Sequence, residues 1–221
     1  MNIAVACGGT GGHIFPGLAT ARELQRRGHE VVVWLAGKSI EGLSVENWDG
    51  PVESVRAAGF PSGVSWRAIG TLGRLAAAVT TCFRRMRRRR PDVVLAMGSY
   101  ASVGPVLAAR GLGIPVVLHE ANASPGRAVR WLSRWATALG IAFESAALEL
   151  QGRRTVITGM PVRPKQDGRL VDPALRENGF TVLVMGGSQG AHRLNEIVPR
   201  AVARVRAMGV DIQVIHLSGA A

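Results

Sequence analysis

A glycine-rich segment with a single histidine follows the first apolar run of the sequence. Residues 6–17 read ACGGTGGHIFPG and come directly after the apolar residues 3–5. A glycine loop between a strand and a helix exposes main-chain amides and tolerates positive φ, which is typical of a phosphate site. We therefore expect residues 8–12 to bind an anion. The alternative is a tight turn without a ligand, and the residues alone allow a His13 that only caps the helix or bonds the loop backbone.

The same succession occurs again near the end of the chain. Residues 186–191 read GGSQGA and follow the apolar run TVLVM at residues 181–185. Neither glycine segment completes a known nucleotide motif, because Ile14 stands where a dinucleotide site needs its third glycine and no P-loop sequence occurs. We therefore expect neither NAD nor another cofactor.

The elements that position these segments are short β-branched strands alternating with helical patterns. The candidate strands of the first part of the chain lie at residues 3–5, 31–35, 93–96, 116–118 and 156–157. Continuous apolar runs separated by helices predict a doubly wound α/β domain, with a parallel sheet covered on both faces.

A change of composition divides the chain. Residues 158–178, TGMPVRPKQDGRLVDPALREN, are rich in proline and charge, which is typical of a linker. We expect a Rossmann-like domain over residues 1–158, a linker over 159–178 and a second Rossmann-like domain over 179–221. The second domain has two candidate strands and one helix, too few to bury a parallel sheet, so we expect it to be incomplete.

Charge and cysteine content narrow the classes of partner and site. The 221 residues carry a formal charge of +12, which favours an anionic partner. Cys7 and Cys82 are the two cysteines. They lie far apart and lack the spacing of zinc ligands, so we expect reduced thiols and no metal site. Since no apolar stretch approaches the roughly 20 residues that span a bilayer, any membrane contact is expected to be peripheral.

A basic, amphipathic helix is predicted over residues 72–90, LGRLAAAVTTCFRRMRRRR, and the stretch GRAVRWLSRW at 126–135 adds tryptophans to arginines. Both patterns are typical of contact with an anionic membrane surface. The contacts are expected from Leu75, Val79, Phe83, Arg84, Arg87 and Trp131. The alternative is an apolar stripe that faces the sheet, with the arginines as a solvated helix end. No nucleic acid is expected, because no helix-turn-helix, RNP or zinc pattern occurs.

Five motifs, in this order, resemble the MurG family of peptidoglycan N-acetylglucosaminyltransferases, which convert lipid I to lipid II. They are GGTGGHIFPGLA at 8–19, MGSYASVGP at 97–105, HEAN at 119–122, TGMPVR at 158–163 and GGSQGAHRLN at 186–195. The resemblance covers the whole chain and implies the metal-independent GT-B architecture of two Rossmann-like domains. It implies a first domain for the lipid-linked acceptor, a second for UDP-N-acetylglucosamine, and a peripheral location on the cytoplasmic face of the bacterial cell membrane.

The resemblance also implies roles for individual residues. Acceptor contacts are implied for Gly9, Thr10, Gly11, Gly12, His13, Gly98, Tyr100 and Asn122. Contacts with the UDP-sugar are implied for Thr10, Gly11, Gly12, Asn122, Arg163, Ser188, Gln189 and Gly190. His13 and Glu120 are the candidate catalytic bases, and positioning of the acceptor is the rival role for His13. The chain departs from the family pattern at Ser99, Val103, Ala121 and Met160.

The implied reaction is transfer of N-acetylglucosamine from UDP to the 4-hydroxyl of the muramic acid of lipid I, with inversion. It requires a base for the hydroxyl proton and stabilisation of the departing diphosphate. The alternative is a non-catalytic module that binds the lipid acceptor or the membrane and requires a partner chain. Because the family's second domain is longer, we expect these residues alone to be inactive and to lack a C-terminal half or partner chain.

Overall fold

The fold is described from a computed structural model. It covers residues 1–37, 41, 45, 48–56, 66–150, 154–162, 175–176, 179–187 and 190–219, with the backbone alone for residues 66–69. The chain divides into two compact units, Met1–Pro164 and Lys165–Ala221.

The first unit is built on a seven-stranded parallel sheet. The strands are β1 Asn2–Ala6, β2 Glu30–Leu35, β3 Val52–Ser54, β4 Val93–Ala96, β5 Val116–Glu120, β6 Ala138–Ile141 and β7 Thr155–Ile157. Their order is β3-β2-β1-β4-β5-β6-β7. From β1 the chain adds β2 and β3 on one side of the sheet and then crosses over to add β4 on the other side of β1. The neighbouring strands β1 and β4 therefore form a topological switch point, and such a point opens a crevice beyond the carboxyl ends of the strands.

Helices cover both faces of this sheet. They are α1 Gly11–Arg26, α2 Trp66–Arg88, α3 Val103–Gly111, α4 Arg127–Leu132 and α5 Ser145–Glu149. Alternate residues of β1 point to opposite faces, so Ala4 and Ala6 join a core with α2 and α3, whereas Ile3 and Val5 pack with α1. The predicted doubly wound α/β fold of this unit is confirmed.

The contact between α1 and β1 requires glycine at one position. A Cβ on Gly17 would lie 2.3 Å from Cβ of Cys7, which is fully buried in β1's extension. Helix α1 therefore packs so close to Cys7 that position 17 has no room for a side chain. This close packing holds the glycine segment between β1 and α1 in place.

Three local features differ from the sequence predictions. Strands β3 and β6 were not among the candidates, since VES is short and half polar and ALGI carries only one β-branched residue. Helix α1 begins at Gly11, so the second half of the predicted loop over 8–12 is the first turn of the helix.

The predicted apolar stripe of the basic helix packs largely inside the unit. Within α2, Ala78, Cys82 and Met86 are buried, and Leu75 and Phe83 are half-buried against the same core. Val79 is also half-buried. Leu75 and Phe83 thus use part of their surface against the core of the unit, and the contact of Leu75, Val79 and Phe83 with lipid stays a prediction. Arg84 and Arg87 are exposed, as both interpretations require.

The second unit contains a two-stranded parallel sheet and one long helix. Its elements are β8 Phe180–Met185, α6 His192–Ala207 and β9 Ile212–Leu217. Phe180, Leu183 and Met185 of β8 are 71%, 56% and 61% exposed. The exposure agrees with the prediction that two strands and one helix cannot bury a parallel sheet. In the described residues of the whole chain, no helix combines the length and apolar character needed to cross a membrane.

We predict that Gly17→Ala lowers the free energy of unfolding by about 1–3 kcal/mol, because the new methyl group overpacks the contact with Cys7. The matched control is Gly73→Ala in α2, where a Cβ meets no atom within 4 Å. The control should stabilise the protein by up to about 1 kcal/mol, since alanine is the better helix former. Urea midpoints measure both; a Gly17→Ala midpoint equal to that of the unsubstituted protein would contradict the packing argument.

Candidate functional site

A cavity of about 460 Å³ lies beyond the carboxyl ends of β1, β4 and β5, at the switch point of the sheet. All its lining residues belong to the first unit. They are Gly9, Thr10, His13, Ala36, Gly98, Ser99, Tyr100, Ala101, Glu120, Asn122, Gly126, Arg127 and Ala128. The structure therefore brings together His13, Glu120 and five other predicted site residues at the cavity: Gly9, Thr10, Gly98, Tyr100 and Asn122. Gly11 and Gly12 belong to the first turn of α1 and are not among the lining residues.

The amide of Gly9 is bonded to a carboxylate of the chain itself. Gly9 N donates to Glu41 Oε1 at 2.6 Å, and Ala36 N donates to the same oxygen at 3.2 Å. Glu41 is 1% exposed, so its carboxylate replaces an external anion at this point of the loop. The Gly9 amide is thus bonded within the chain in this structure, and its contact with the acceptor diphosphate stays a prediction. Glu41 was missed because it follows β2 and gives no local motif.

His13 lies in the first turn of α1 and its ring is oriented by a main-chain carbonyl. Nδ1 is 2.7 Å from Met97 O, and because a carbonyl can only accept, Nδ1 carries the proton and donates. With Nδ1 donating, the tautomer of a neutral imidazole has its lone pair on Nε2, which is the form a general base requires. Gly12 and Gly11 precede His13 in the same turn, and Thr10 O accepts from His13 N at 3.0 Å.

The loop after β4 is joined to the loop after β1. The hydroxyl of Ser99 donates to Gly8 O and accepts from Ala101 N, the latter at 3.1 Å. Gly98 has φ +87°, and a Cβ there would lie 2.9 Å from His119 O. Ser99, a departure from the family pattern, thus has a defined structural role, and Tyr100 beside it is 42% exposed at the cavity.

Glu120 organises the loop that follows β5. Its Oε1 accepts from Asn122 N and from Asn122 Nδ2, both at 2.8 Å, and its Oε2 accepts from Gly126 N at 2.8 Å. The side chain is 2% exposed. A carboxylate with both oxygens engaged in closing a loop is poorly placed to take a substrate proton, so the structure favours a positioning role over the predicted catalytic one. Asn122 both closes this turn and lines the cavity.

His119 lies behind the cavity and is held in the neutral form. Its Nε2 donates to Gly159 O at 3.1 Å, while Nδ1 is buried without a partner among the described residues. Burial lowers the pKa of His119 and outweighs the opposing effects of that hydrogen bond and of Glu120. Its ring therefore links β5 to the segment after β7 and is a structural residue.

The cysteines are inert thiols. Burial, with a smaller contribution from the Glu41 charge, raises the pKa of Cys7 to about 12, and burial likewise raises that of Cys82 to about 12. No group of three metal-ligating side chains was found among the residues that the structure describes.

Only some of the residues predicted to bind the diphosphate of the UDP-sugar are described by the structure. Ser188 and Gln189 of the second unit, and Arg163 near the end of the first, lie outside the described residues. Gly190 has φ +73°, and a Cβ there would lie 1.9 Å from Ser218 O, so the loop after β8 needs glycine at this position. Asn195 Nδ2 donates to Ser218 O at 2.9 Å and ties α6 to the end of β9. The nucleotide roles of these residues stay predictions.

We predict that stability falls as pH drops below about 6.5, the ordinary histidine value, because unfolded His119 then binds a proton that folded His119 refuses. One such group sets a limiting slope of about 1.4 kcal/mol per pH unit. Urea unfolding at pH 7.5 and 5.0 should show a smaller pH dependence for His119→Gln than for the unsubstituted protein. The control His192→Gln, at a side chain 87% exposed, should leave the dependence unchanged; equal behaviour of the two variants would contradict the assignment.

Comparison with known proteins identifies relatives along nearly the whole chain. The model of the glycosyltransferase family 28 N-terminal domain matches residues 3–141, and that of the C-terminal domain matches residues 181–221. A UDP-N-acetylglucosamine–N-acetylmuramyl-(pentapeptide) pyrophosphoryl-undecaprenol N-acetylglucosamine transferase of Halorhodospira halophila is 42% identical over 224 residues, covering 98% of this chain. The protein of the same name from Methylococcus capsulatus is 39% identical over 229 residues, covering 99% of the chain.

Among solved structures, the crystal structure of Acinetobacter baumannii MurG matches with a TM-score of 0.68 and 27% identity, covering 99% of this chain and 60% of that one. The chain likewise spans 60% of the length of the Halorhodospira and Methylococcus relatives. The resemblance seen in the motifs is confirmed by these matches. Since the first family model alone covers more than half of the sequence, the chain belongs to glycosyltransferase family 28.

Proposed function

We propose that this chain is the acceptor-binding part of a UDP-N-acetylglucosamine-dependent transferase of peptidoglycan synthesis, acting on lipid I to give lipid II. The observation that carries the proposal is the placement of His13, which lines the cavity and whose Nδ1 is bonded to Met97 O, so that Nε2 is proposed to be the acceptor there. The names of the Halorhodospira and Methylococcus relatives support the same substrates.

The proposed reaction requires the first unit to supply a base for the proton of the acceptor hydroxyl. In an inverting displacement the 4-hydroxyl oxygen of the acceptor sugar forms a bond to the anomeric carbon while the bond to UDP breaks. The hydroxyl proton passes to Nε2 of His13, and UDP leaves with the electron pair of the broken bond. His13 is held for this step by α1 and by the carbonyl of Met97, because both fix its ring before the acceptor arrives.

Stabilisation of the leaving group is assigned to the loop after β8 and to Arg163. The loop amides and hydroxyl of Ser188, Gln189 and Gly190, and the guanidinium of Arg163, are proposed to bind the UDP diphosphate. Removing one such donor typically costs about 2.7–4 kcal/mol of transition-state stabilisation. No metal enters this scheme, since hydrogen bonds and the helix dipole supply the positive charge.

We place the unit peripherally on the cytoplasmic face of the bacterial cell membrane. Exposed arginines at the end of α2, Arg84 and Arg87, supply charge for an anionic surface. A second basic surface is formed where Arg134 lies 5.6 Å from the ring centre of Trp131 and 5.3 Å from that of Trp135. Tryptophan beside arginine is typical of the headgroup region of a bilayer.

The function is tested with a short-chain, soluble analogue of lipid I and its 4-deoxy counterpart. We expect both to bind the chain, the 4-deoxy compound about three- to tenfold more weakly because it lacks one hydrogen bond. Only the 4-hydroxy compound should shift the ¹⁵N resonance of His13 Nε2. His13→Gln should abolish the difference in affinity, whereas the exposed control His192→Gln should retain it.

Each negative outcome of this experiment has a separate meaning. Failure of both analogues to bind would overturn the proposed function. Binding of both with identical His13 signals would overturn the role of His13 as base and would leave the non-catalytic lipid-acceptor module as the better description.

Membrane association is tested separately with vesicles of anionic and neutral phospholipid. Replacing Arg84 and Arg87 together by glutamine should weaken binding to anionic vesicles by about thirtyfold, because each arginine near the surface contributes about 1 kcal/mol. The matched control replaces Arg200 and Arg204, two exposed arginines one turn apart on α6. Equal loss in both double variants, or equal affinity for neutral vesicles, would contradict an α2 surface specific for anionic lipid.

A further inference from the structure

The cavity of the candidate site has an anionic end and a cationic end. The anionic end is the loop after β1, where the buried carboxylate of Glu41 accepts from Gly9 N at 2.6 Å and from Ala36 N at 3.2 Å. A phosphate brought to Gly9 would have to displace a carboxylate held by two amides, or lie beside a like charge. This end of the cavity therefore suits an uncharged group that can hydrogen-bond, such as a sugar hydroxyl.

The cationic group of the cavity is Arg127. Among the described residues that line the cavity, Arg127 alone carries a permanent positive charge, and its side chain is exposed. The carboxylate of Glu120 also lines this part of the cavity, but it is buried and accepts from Asn122 N and Gly126 N. A guanidinium presents paired N–H donors that match two oxygens of a phosphate, so it is well suited to a diphosphate.

Arg127 also borders a second cavity, which lies at the basic surface that contains Trp131. This second cavity, of about 330 Å³, is lined by Arg127, Arg130, Trp131 and Arg134. Because Arg127 borders both cavities, it lies between the cavity that His13 lines and the one that Trp131 lines. This order matches the order of groups in a lipid-linked sugar, which is hydroxyl-bearing sugar, diphosphate and lipid.

We propose that Arg127 binds the acceptor's diphosphate and that Glu41 excludes the diphosphate from the loop after β1, so that the sugar hydroxyls occupy the end of the cavity at His13. The inference rests on the proposed function and deepens it, because it gives the direction in which the acceptor lies. Glu41 acts through Gly9 and is a positioning residue, whereas Arg127 contacts the ligand.

Inorganic pyrophosphate is the probe, and ¹H–¹⁵N NMR of the 221-residue chain is the readout. We expect pyrophosphate to shift the Nε–H signal of Arg127 and the amide of Gly126, and to leave the amides of Gly9 and Thr10 unchanged. Arg127→Gln should weaken pyrophosphate binding about tenfold, the usual effect of losing a charge-assisted hydrogen bond. The control Arg110→Gln removes the same charge at an exposed residue of α3 and should bind as the unsubstituted protein does.

Glu41→Gln tests the exclusion directly, since it removes the charge and keeps an oxygen that can accept from Gly9 N. We expect new pyrophosphate-dependent shifts at Gly9 and Thr10 in this variant. If Glu41→Gln does not fold, the Arg127 and Arg110 variants still decide the main point. Shifts at Gly9 in the unsubstituted protein, or equal affinities of the Arg127 and Arg110 variants, would overturn the proposal.

The result is separable from the test of the proposed function. The NMR shifts caused by pyrophosphate can be measured without an acceptor sugar, without a lipid and without any transfer of N-acetylglucosamine. A chain that binds pyrophosphate at Arg127 but ignores both lipid I analogues would retain the diphosphate site and lose the assigned acceptor; the reverse outcome would retain the function and reject the orientation.

Discussion

The site depends on hydrogen bonds that join the loop after β1 to the loop after β4. His13 Nδ1 donates to Met97 O, and the Ser99 hydroxyl donates to Gly8 O, so a side chain of each loop is bonded to the main chain of the other. β1 and β4 are neighbours in the sheet because the strand order reverses there. The sheet topology thus brings the loops together, and the hydrogen bonds convert that proximity into a fixed orientation of the imidazole.

Two buried carboxylates complete the same arrangement from different directions. Glu41 satisfies amides at the ends of β1 and β2, while Glu120 closes the loop after β5 on Asn122 and Gly126. A buried main-chain amide without an acceptor costs about 1–3 kcal/mol, so each carboxylate stabilises a loop that the apolar core cannot reach. Both carboxylates thus accept hydrogen bonds from main-chain amides, and this is one reason why the proposed function gives the proton-accepting role to His13.

Much of the fold was predictable because its strands are continuous apolar runs. β1, β2, β4 and β5 carry this signal plainly, whereas β3 and β6 are recognised as strands only through their neighbours. The apolar stripe of α2 shows what the spacing of apolar residues cannot predict. Spacing of three and four residues places side chains on one face, but it does not say whether that face meets a membrane or, as here, α3.

The sequence predicted which residues form the site better than it predicted which charged groups and hydrogen-bond partners lie there. Glycines and His13 mark the loop by residue type, yet the partner of Gly9 lies 32 residues away and has no motif around it. An amide that looks available in a sequence is already bonded in the fold, because burial demands that polar groups find partners. What remains to recognise a ligand is therefore the smaller set of groups the fold leaves at the cavity, chiefly Nε2 of His13 and the guanidinium of Arg127. In the proposed function, the positions of these two groups in the cavity lining, rather than the abundance of glycine, determine which part of an acceptor each one contacts.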